Sequence, residues 1–420
     1  MSQHSARFVD SVRPFVNTVS VHPHERAVNR VAPSTRADRE PSFRTMVFDT
    51  LHDPALALWA FYILLFPVYV FRNGVPQPGD LLLIPLAPLV LARWDGRLPR
   101  RQRLVVRSLI HFVVWVVVVN IAWSAAENTW TFDLKLSYGL SPFIYVFNAL
   151  AFLIALVMYQ QYQERFTHYT VRLALVSVVV QCVISFFHAG GEARGLVLFN
   201  NANQLGYFAI LSALIVLLGQ KRARIGATVS TIALVASGYL ALLSSSKAAL
   251  GSVAVILMFG WFERLRTVLL TCLVSLLLLA VADPLMHLVD RASNRIDKGD
   301  DLSFVEERGY DRIARYPEHW LLGAGEGHYK RYWTPQQGAH EIHSSGGTIF
   351  FCYGVVGSVL FLIFAFRLFA GAPIRRMLLL APAVAFGLSH QGMRSTLMWI
   401  MLALFVVLKE PEPTPRLAGT

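Results

Sequence analysis

From about residue 56 to residue 407 the chain is a succession of apolar runs separated by short polar breaks. A membrane-crossing helix needs about 20 predominantly apolar residues, and the pattern predicts about 12 such helices. They fall near residues 56–71, 81–92, 104–123, 142–159, 171–187, 204–219, 225–243, 248–262, 267–288, 347–366, 377–388 and 397–408. Only one break is long, a polar insert over residues 289–342 between the ninth and tenth runs. The predicted fold is therefore an all-α polytopic membrane protein. A tail (1–45) leads into helices one to nine (46–288). A loop carrying short helices (289–342) follows, then helices ten to twelve (343–409) and a tail (410–420). Pro67, Pro85, Pro88 and Pro382 lie inside apolar runs, where kinks are expected and where neighbouring helices can satisfy the freed carbonyls.

Composition agrees with this class: 55% of the 420 residues are hydrophobic and 15% charged, too little charge to cover a soluble protein of this size. The net charge of +12 would suit a nucleic-acid binder, but its distribution does not. With the N-terminus in the cytoplasm and alternating spans, about 25 of the 38 Lys and Arg residues fall inside, as the positive-inside rule requires. The short external loops hold only Arg72, Lys135, Arg194, Lys247 and Arg394. The charge thus reads as topology plus attraction to anionic lipid, with no nucleic-acid partner. Cys182, Cys272 and Cys352 all sit in apolar runs and read as small buried hydrophobes, so no disulfide framework is implied. The first 45 residues are polar, contain Pro and Arg, and lack an apolar signal region. They read as a cytoplasmic tail, disordered or lying on the membrane surface.

The external side carries the chemistry. One short loop has Gly190-Gly191-Glu192-Ala193-Arg194-Gly195 and then Asn200-Asn201-Ala202-Asn203, which places a cation in a turn and amides before a helix. Another has Ser244-Ser245-Ser246-Lys247, serines suited to capping and a helix N-terminus suited to phosphate. A lone cation in such a loop would normally snorkel to headgroups. Two of them beside small and amide-rich residues favour a site. Within the insert, residues 297–307 are acidic, and Arg308, Arg312 and Arg315 stand at i, i+4 and i+7, one face of a helix that Tyr316-Pro317 should end. The turn-rich Leu321-Leu322-Gly323-Ala324-Gly325-Glu326-Gly327 lacks the strand and helix of a dinucleotide fingerprint. Trp320, Tyr329, Tyr332 and Trp333 suit the membrane interface or stacking on sugars, the former being the commoner use.

The insert ends in His340-Glu341-Ile342-His343, at the lip of the tenth run. The zincin spacing His-Glu-x-x-His is absent and no Cys accompanies the pair, so acid–base work is favoured over zinc. A histidine near neutrality can take a proton from a sugar hydroxyl.

These pieces, in this order, resemble the O-antigen ligase family of the O-antigen ligase and polymerase superfamily, whose members work like C-type glycosyltransferases on lipid-linked donors. The resemblance runs over about residues 186–362. It rests on Arg194-Gly195 with Asn201-Ala202-Asn203, on Ser244–Lys247, and on Arg308 with Tyr316-Pro317 and Leu322-Gly323-Ala324-Gly325. Its last element is His343 leading into Gly354-Val355-Val356-Gly357. Lys247 stands where the family often has Arg, and Ser344 where it often has Asn.

The resemblance implies a multi-pass enzyme of the bacterial inner membrane, active on the periplasmic side, in lipopolysaccharide biosynthesis. It would transfer O-antigen polysaccharide from undecaprenyl pyrophosphate to a hydroxyl of lipid A–core oligosaccharide, with no cofactor and no metal. Arg194, Lys247 and Arg308 would bind the donor pyrophosphate. His343 would be the base and His340 its helper, with Asn201, Asn203, Glu306 and Arg312 in support. An O-antigen polymerase or a protein O-oligosaccharyltransferase would use the same donor. A lipid or polysaccharide transporter is the alternative from another class, disfavoured because the cations cluster at the external lip and not at midplane.

Overall fold

The structure, a computed structural model, describes residues 52–71, 76–129, 138–187, 196–281, 288–290, 293–294, 304–332 and 341–409. All of them belong to the compact unit Met46–Thr420. Both expected tails lie outside the described residues.

Among the described residues every regular element is helical. Numbering only helices of nine residues or more, α1 is Pro54–Leu65, α2 Leu83–Ala92, α3 Arg100–Ala126, α4 Leu140–Tyr162, α5 Glu164–Phe187 and α6 Ala202–Gly219. They are followed by α7 Ala227–Ser244, α8 Lys247–Val281, α9 Ser345–Phe369, α10 Ala381–Ser389 and α11 Thr396–Leu408. Six of these, α3 to α7 and α9, are long and apolar enough to cross a membrane. Phe187 of α5 and Leu362 and Phe366 of α9 stand exposed on their flanks, as lipid-facing side chains do.

Local chemistry sets the helix starts. Asp53 Oδ1 accepts the amides of Ala55 and Leu56 at 2.9 and 3.4 Å, with Pro54 in the first turn of α1. Asn201 caps α6 by accepting the Asn203 amide at 2.8 Å. Ser344 caps α9 by accepting the Gly347 amide at 3.1 Å. The α6 helix is buried along nearly its whole length, so it is apolar on every side, and α5, α7, α8, α10 and α11 pack around it.

The two non-helical breaks within described helices lie away from the prolines. The eighth and ninth apolar runs are two helical segments, labelled together as α8, that meet at a kink with non-helical backbone at Arg264 (φ −143°, ψ 45°). Pro382 begins α10, where its missing amide costs nothing, and Pro67 lies just past the end of α1. The eleventh run is two short helices, Ile374–Leu379 and α10. The other sharp break is at Gly354 in α9 (φ +68°, ψ −170°).

That break seats the polar insert. An interrupted helix leaves amides and carbonyls that must be paired in apolar surroundings. Residues 320–325 pair them. The amides of Ala324 and Gly325 donate to the carbonyls of Phe351 and Cys352, each at 2.9 Å. The amides of Val355 and Val356 donate to the carbonyls of Trp320 and Leu321 at 2.7 and 3.4 Å. Trp115 and Trp123 of α3 complete the seam, with their indole N–H groups donating to the carbonyls of Tyr353 and Gly323 at 2.9 and 3.0 Å. Tyr332, expected at an interface or on a sugar, is buried in a ring cluster with Tyr316, His319 and Phe351.

The expected arginine face also differs. Gly309 (φ +72°) separates a short helix, Phe304–Glu307, from another, Asp311–Arg315, so Arg308 lies in the turn between them. Arg315 pairs with Asp311 at 3.0 Å, and Arg312 is buried with its guanidinium 6.0 Å from the Tyr332 ring centre. The helix does end at Tyr316, as Pro317 requires. The three cysteines are free and lie in α5, α8 and α9. Cys352 is buried, and the other two are half-buried.

Candidate functional site

A cavity of about 670 Å³ opens where several helices begin. Its lining takes in Asn203 and Gln204 at the start of α6, Lys247 and Ala248 at the start of α8, and Thr396 at the start of α11. Each helix N-terminus carries about half a positive charge. A sharp turn aims the second of these. Ser245 is left-handed (φ +47°), and Ser244 Oγ accepts the Ser246 amide at 3.3 Å. The expected serine cap on α8 is thus a cap on the turn before it.

Two of the three predicted phosphate-binding cations, Lys247 and Arg308, line this cavity. Lys247 is exposed to the cavity. Arg308 reaches it from the insert, and its Nη1 donates to the Ser389 carbonyl at 2.5 Å and to His390 Nδ1 at 3.3 Å. His343 is exposed and lines the same space, as do Asn201 and Asn203. Ser344, which follows His343, caps α9 and accepts the Tyr310 hydroxyl at 2.6 Å. This anchors the chain where the histidine leaves it.

Two predicted residues are not in the site. Arg312 is buried among the insert's rings and does not line the cavity, because Gly309 turns the backbone away from a continuous helix. Glu306 is half-buried in its short helix and does not line it either. Arg194 and His340 lie outside the described residues.

Arg394 and Glu341 belong to the site although neither was singled out from sequence. Arg394 Nη2 bridges Glu326 Oε1 and Glu341 Oε2, at 2.6 Å each, and both Arg394 and Glu341 line the cavity. Glu326 is fully buried, and its other oxygen accepts the Tyr353 hydroxyl at 2.5 Å. Its amide donates to Asn120 Oδ1 of α3 at 2.8 Å. Burial would raise the Glu341 carboxyl, but the Arg394 charge and hydrogen bond, with His343 and Tyr329 nearby, hold it below the ordinary carboxylate range. Burial also opposes charge on Arg394, and the two carboxylates more than restore it. Sequence offered a weak signal for the pair. Arg394 is one of few short-loop cations, and Glu341 sits between the two histidines.

The lining also includes six phenylalanines, Phe66, Phe143, Phe147, Phe199, Phe208 and Phe386, together with polar groups such as Gln77, Asp80 and Asn148. Phe386 stacks on Tyr207 with ring centres 4.2 Å apart and lies 4.7 Å from His390, which steadies the His390 ring. The cavity therefore combines the cations Lys247, Arg308 and Arg394, the carboxylates Asp80 and Glu341, amides and two histidines with several phenyl rings. Among the described residues no three His, Cys, Asp or Glu side chains group as a metal site. No protein-family model matches the chain, and no curated protein matches it either. The functional reading rests on these residues and their geometry.

Proposed function

We propose that the protein is an O-antigen ligase. It transfers a polysaccharide from undecaprenyl pyrophosphate to a hydroxyl of lipid A–core oligosaccharide in the periplasmic leaflet of the bacterial inner membrane. In this reading the chain crosses the membrane 12 times, both termini are cytoplasmic and residues 289–342 are periplasmic, which follows the bias of Lys and Arg. The observation that carries the proposal is that Lys247, Arg308 and His343 line one cavity that also presents several aromatic side chains. An amphiphilic pyrophosphate donor needs cations for its head and an apolar wall for its chain. A neutral acceptor hydroxyl needs a base.

The step is a single displacement. His343 takes the acceptor's proton, and the acceptor oxygen attacks the anomeric carbon from the face opposite the leaving group. The bond from that carbon to the pyrophosphate oxygen then breaks, with inversion. Lys247, Arg308 and the helix N-termini stabilise the charge gathering on the departing undecaprenyl pyrophosphate, and Arg194 completes the cation set. Proton and electron pair balance without a cofactor or a divalent metal.

Reconstitution of purified protein with a lipid-linked donor and core lipid tests the reading, with the glycosylated lipid resolved on a gel. Product that elongates the lipid-linked donor instead would make the protein a polymerase. Movement of donor across vesicles with no new glycosidic bond would make it a transporter.

A further inference from the structure

Three helices near the cavity, α6, α7 and α8, also border a second, shallow hollow. The α6 helix runs away from the cavity to Gly219, α7 runs back from Ala227, and the first part of α8 runs from Lys247 to the break at Arg264. Helices of this length rise about 27 Å, close to the thickness of a bilayer's hydrocarbon core. The second hollow, of about 400 Å³, is therefore at the opposite membrane face.

Lys221, Arg224, Arg264 and Arg266 line it, together with Gln220 and Thr267. Among the described residues no carboxylate lines it, and the side chain of the neighbouring Glu263 lies outside them. Two irregular backbones gather the cations. One is the turn before α7, with Arg224 left-handed (φ +49°), and the other is the break in α8. The α7 helix starts at Gly226, which offers no side-chain cap, and Ala227 of its first turn faces the hollow. Its first amides add to the positive field.

Gln220 is 7% exposed, and its Nε2 donates to Thr267 Oγ1 at 3.0 Å while Oε1 has no partner. A hydroxyl can accept or donate, so the carboxamide can turn over and offer its NH₂ to a ligand. From the hollow, exposed apolar side chains continue down both helices: Val229 and Ile232 on α7, Leu265 and Leu269 on α8. Orientation of the chain in a membrane needs cations on one face. It does not need them gathered around a concavity at the head of an apolar track.

We propose that this hollow binds the phosphodiester headgroup of an anionic membrane lipid, with its acyl chains along α7 and α8. The inference depends on the membrane fold and not on the reaction at the other face.

The test uses the full chain in neutral detergent, titrated with cardiolipin, phosphatidylglycerol, phosphatidylcholine or inorganic pyrophosphate. Bound lipid is read by native mass spectrometry and melting temperature. The anionic lipids should bind and raise the melting temperature, and phosphatidylcholine should not. The triple variant Lys221→Gln, Arg224→Gln, Arg266→Gln should bind at least tenfold more weakly. The charge-keeping variant Lys221→Arg, Arg224→Lys, Arg266→Lys should retain binding, which separates loss of the site from loss of the fold. A control variant, Arg97→Gln, Arg100→Gln, Arg103→Gln, removes three exposed cations near the start of α3. An equal loss in that control would reduce the effect to diffuse surface charge and overturn the proposal. Equal protection by pyrophosphate would overturn the assignment to lipid.

Discussion

The backbone amide of His343 donates to the backbone carbonyl of Arg308 at 3.1 Å. One hydrogen bond thus ties the middle of the insert to the point where the chain enters α9, and the proposed base and a proposed phosphate ligand are held in fixed register. His343→Ala should still bind donor but fail to transfer it. Arg308→Ala should cost about 3 kcal/mol in catalysis, as does loss of one oxyanion donor. Donor binding and turnover measured on both variants check this. Near-normal turnover in either removes that residue from the mechanism.

Lys247 is exposed at the cavity with its helix N-terminus behind it, so its role is charge more than a fixed fork of hydrogen bonds. Lys247→Arg should keep more activity than Lys247→Ala. With cations at the leaving group, transfer should continue in excess chelator. Activity lost in chelator and restored by magnesium or manganese would show that a metal does this work.

Arg394 holds two carboxylates, one fully buried. Arg394→Ala should lower stability by about 3–5 kcal/mol, because an unpaired buried charge remains. Adding Glu326→Gln should recover part of the loss. Thermal melting of the single and double variants checks both statements, and an unchanged melting temperature in Arg394→Ala would show the pair to be idle.

The Glu341 carboxyl is held below its ordinary range in the folded protein, so the unfolded chain binds its proton first as pH falls. Its contribution is complete above the unfolded value of about 4.3 and is lost as pH drops through the lower folded value. Melting profiles across that acid window should be flatter for Glu341→Gln than for the parent protein.

Gly354 accepts a conformation that other residues resist, and a Cβ there would stand 2.4 Å from the Leu321 carbonyl oxygen. Gly354→Ala should destabilise the protein by about 2–4 kcal/mol and unseat residues 320–325. Faster proteolysis within that segment, together with reduced transfer, is the expected result.

The topology is tested by labelling introduced cysteines in intact cells after the native three are replaced. A cysteine at Lys330 should react with a membrane-impermeant reagent, and one at Gly96 should not. External labelling near Gly96 would overturn the proposed orientation.

Sequence alone was enough for the helical membrane class and for most helix positions, because a span in lipid must satisfy its own backbone and bury a long apolar surface. Both demands are local. The same reading named Lys247, His343, Asn201 and Asn203 at the ends of apolar runs and Arg308 within the insert, and all five line one cavity. It could not see that Gly309 would turn Arg312 inward, or that the Gly354 break would take in residues 320–325. Nor could it join Arg394 to Glu326 and Glu341, residues separated by 68 and 53 positions. Those pairings depend on which helices pack together, and neither a period of 3.6 residues nor a charge count carries that information. Only the packed helices bring the ends of α6, α8 and α11 to one cavity, where positive ends that are unremarkable alone become a single field.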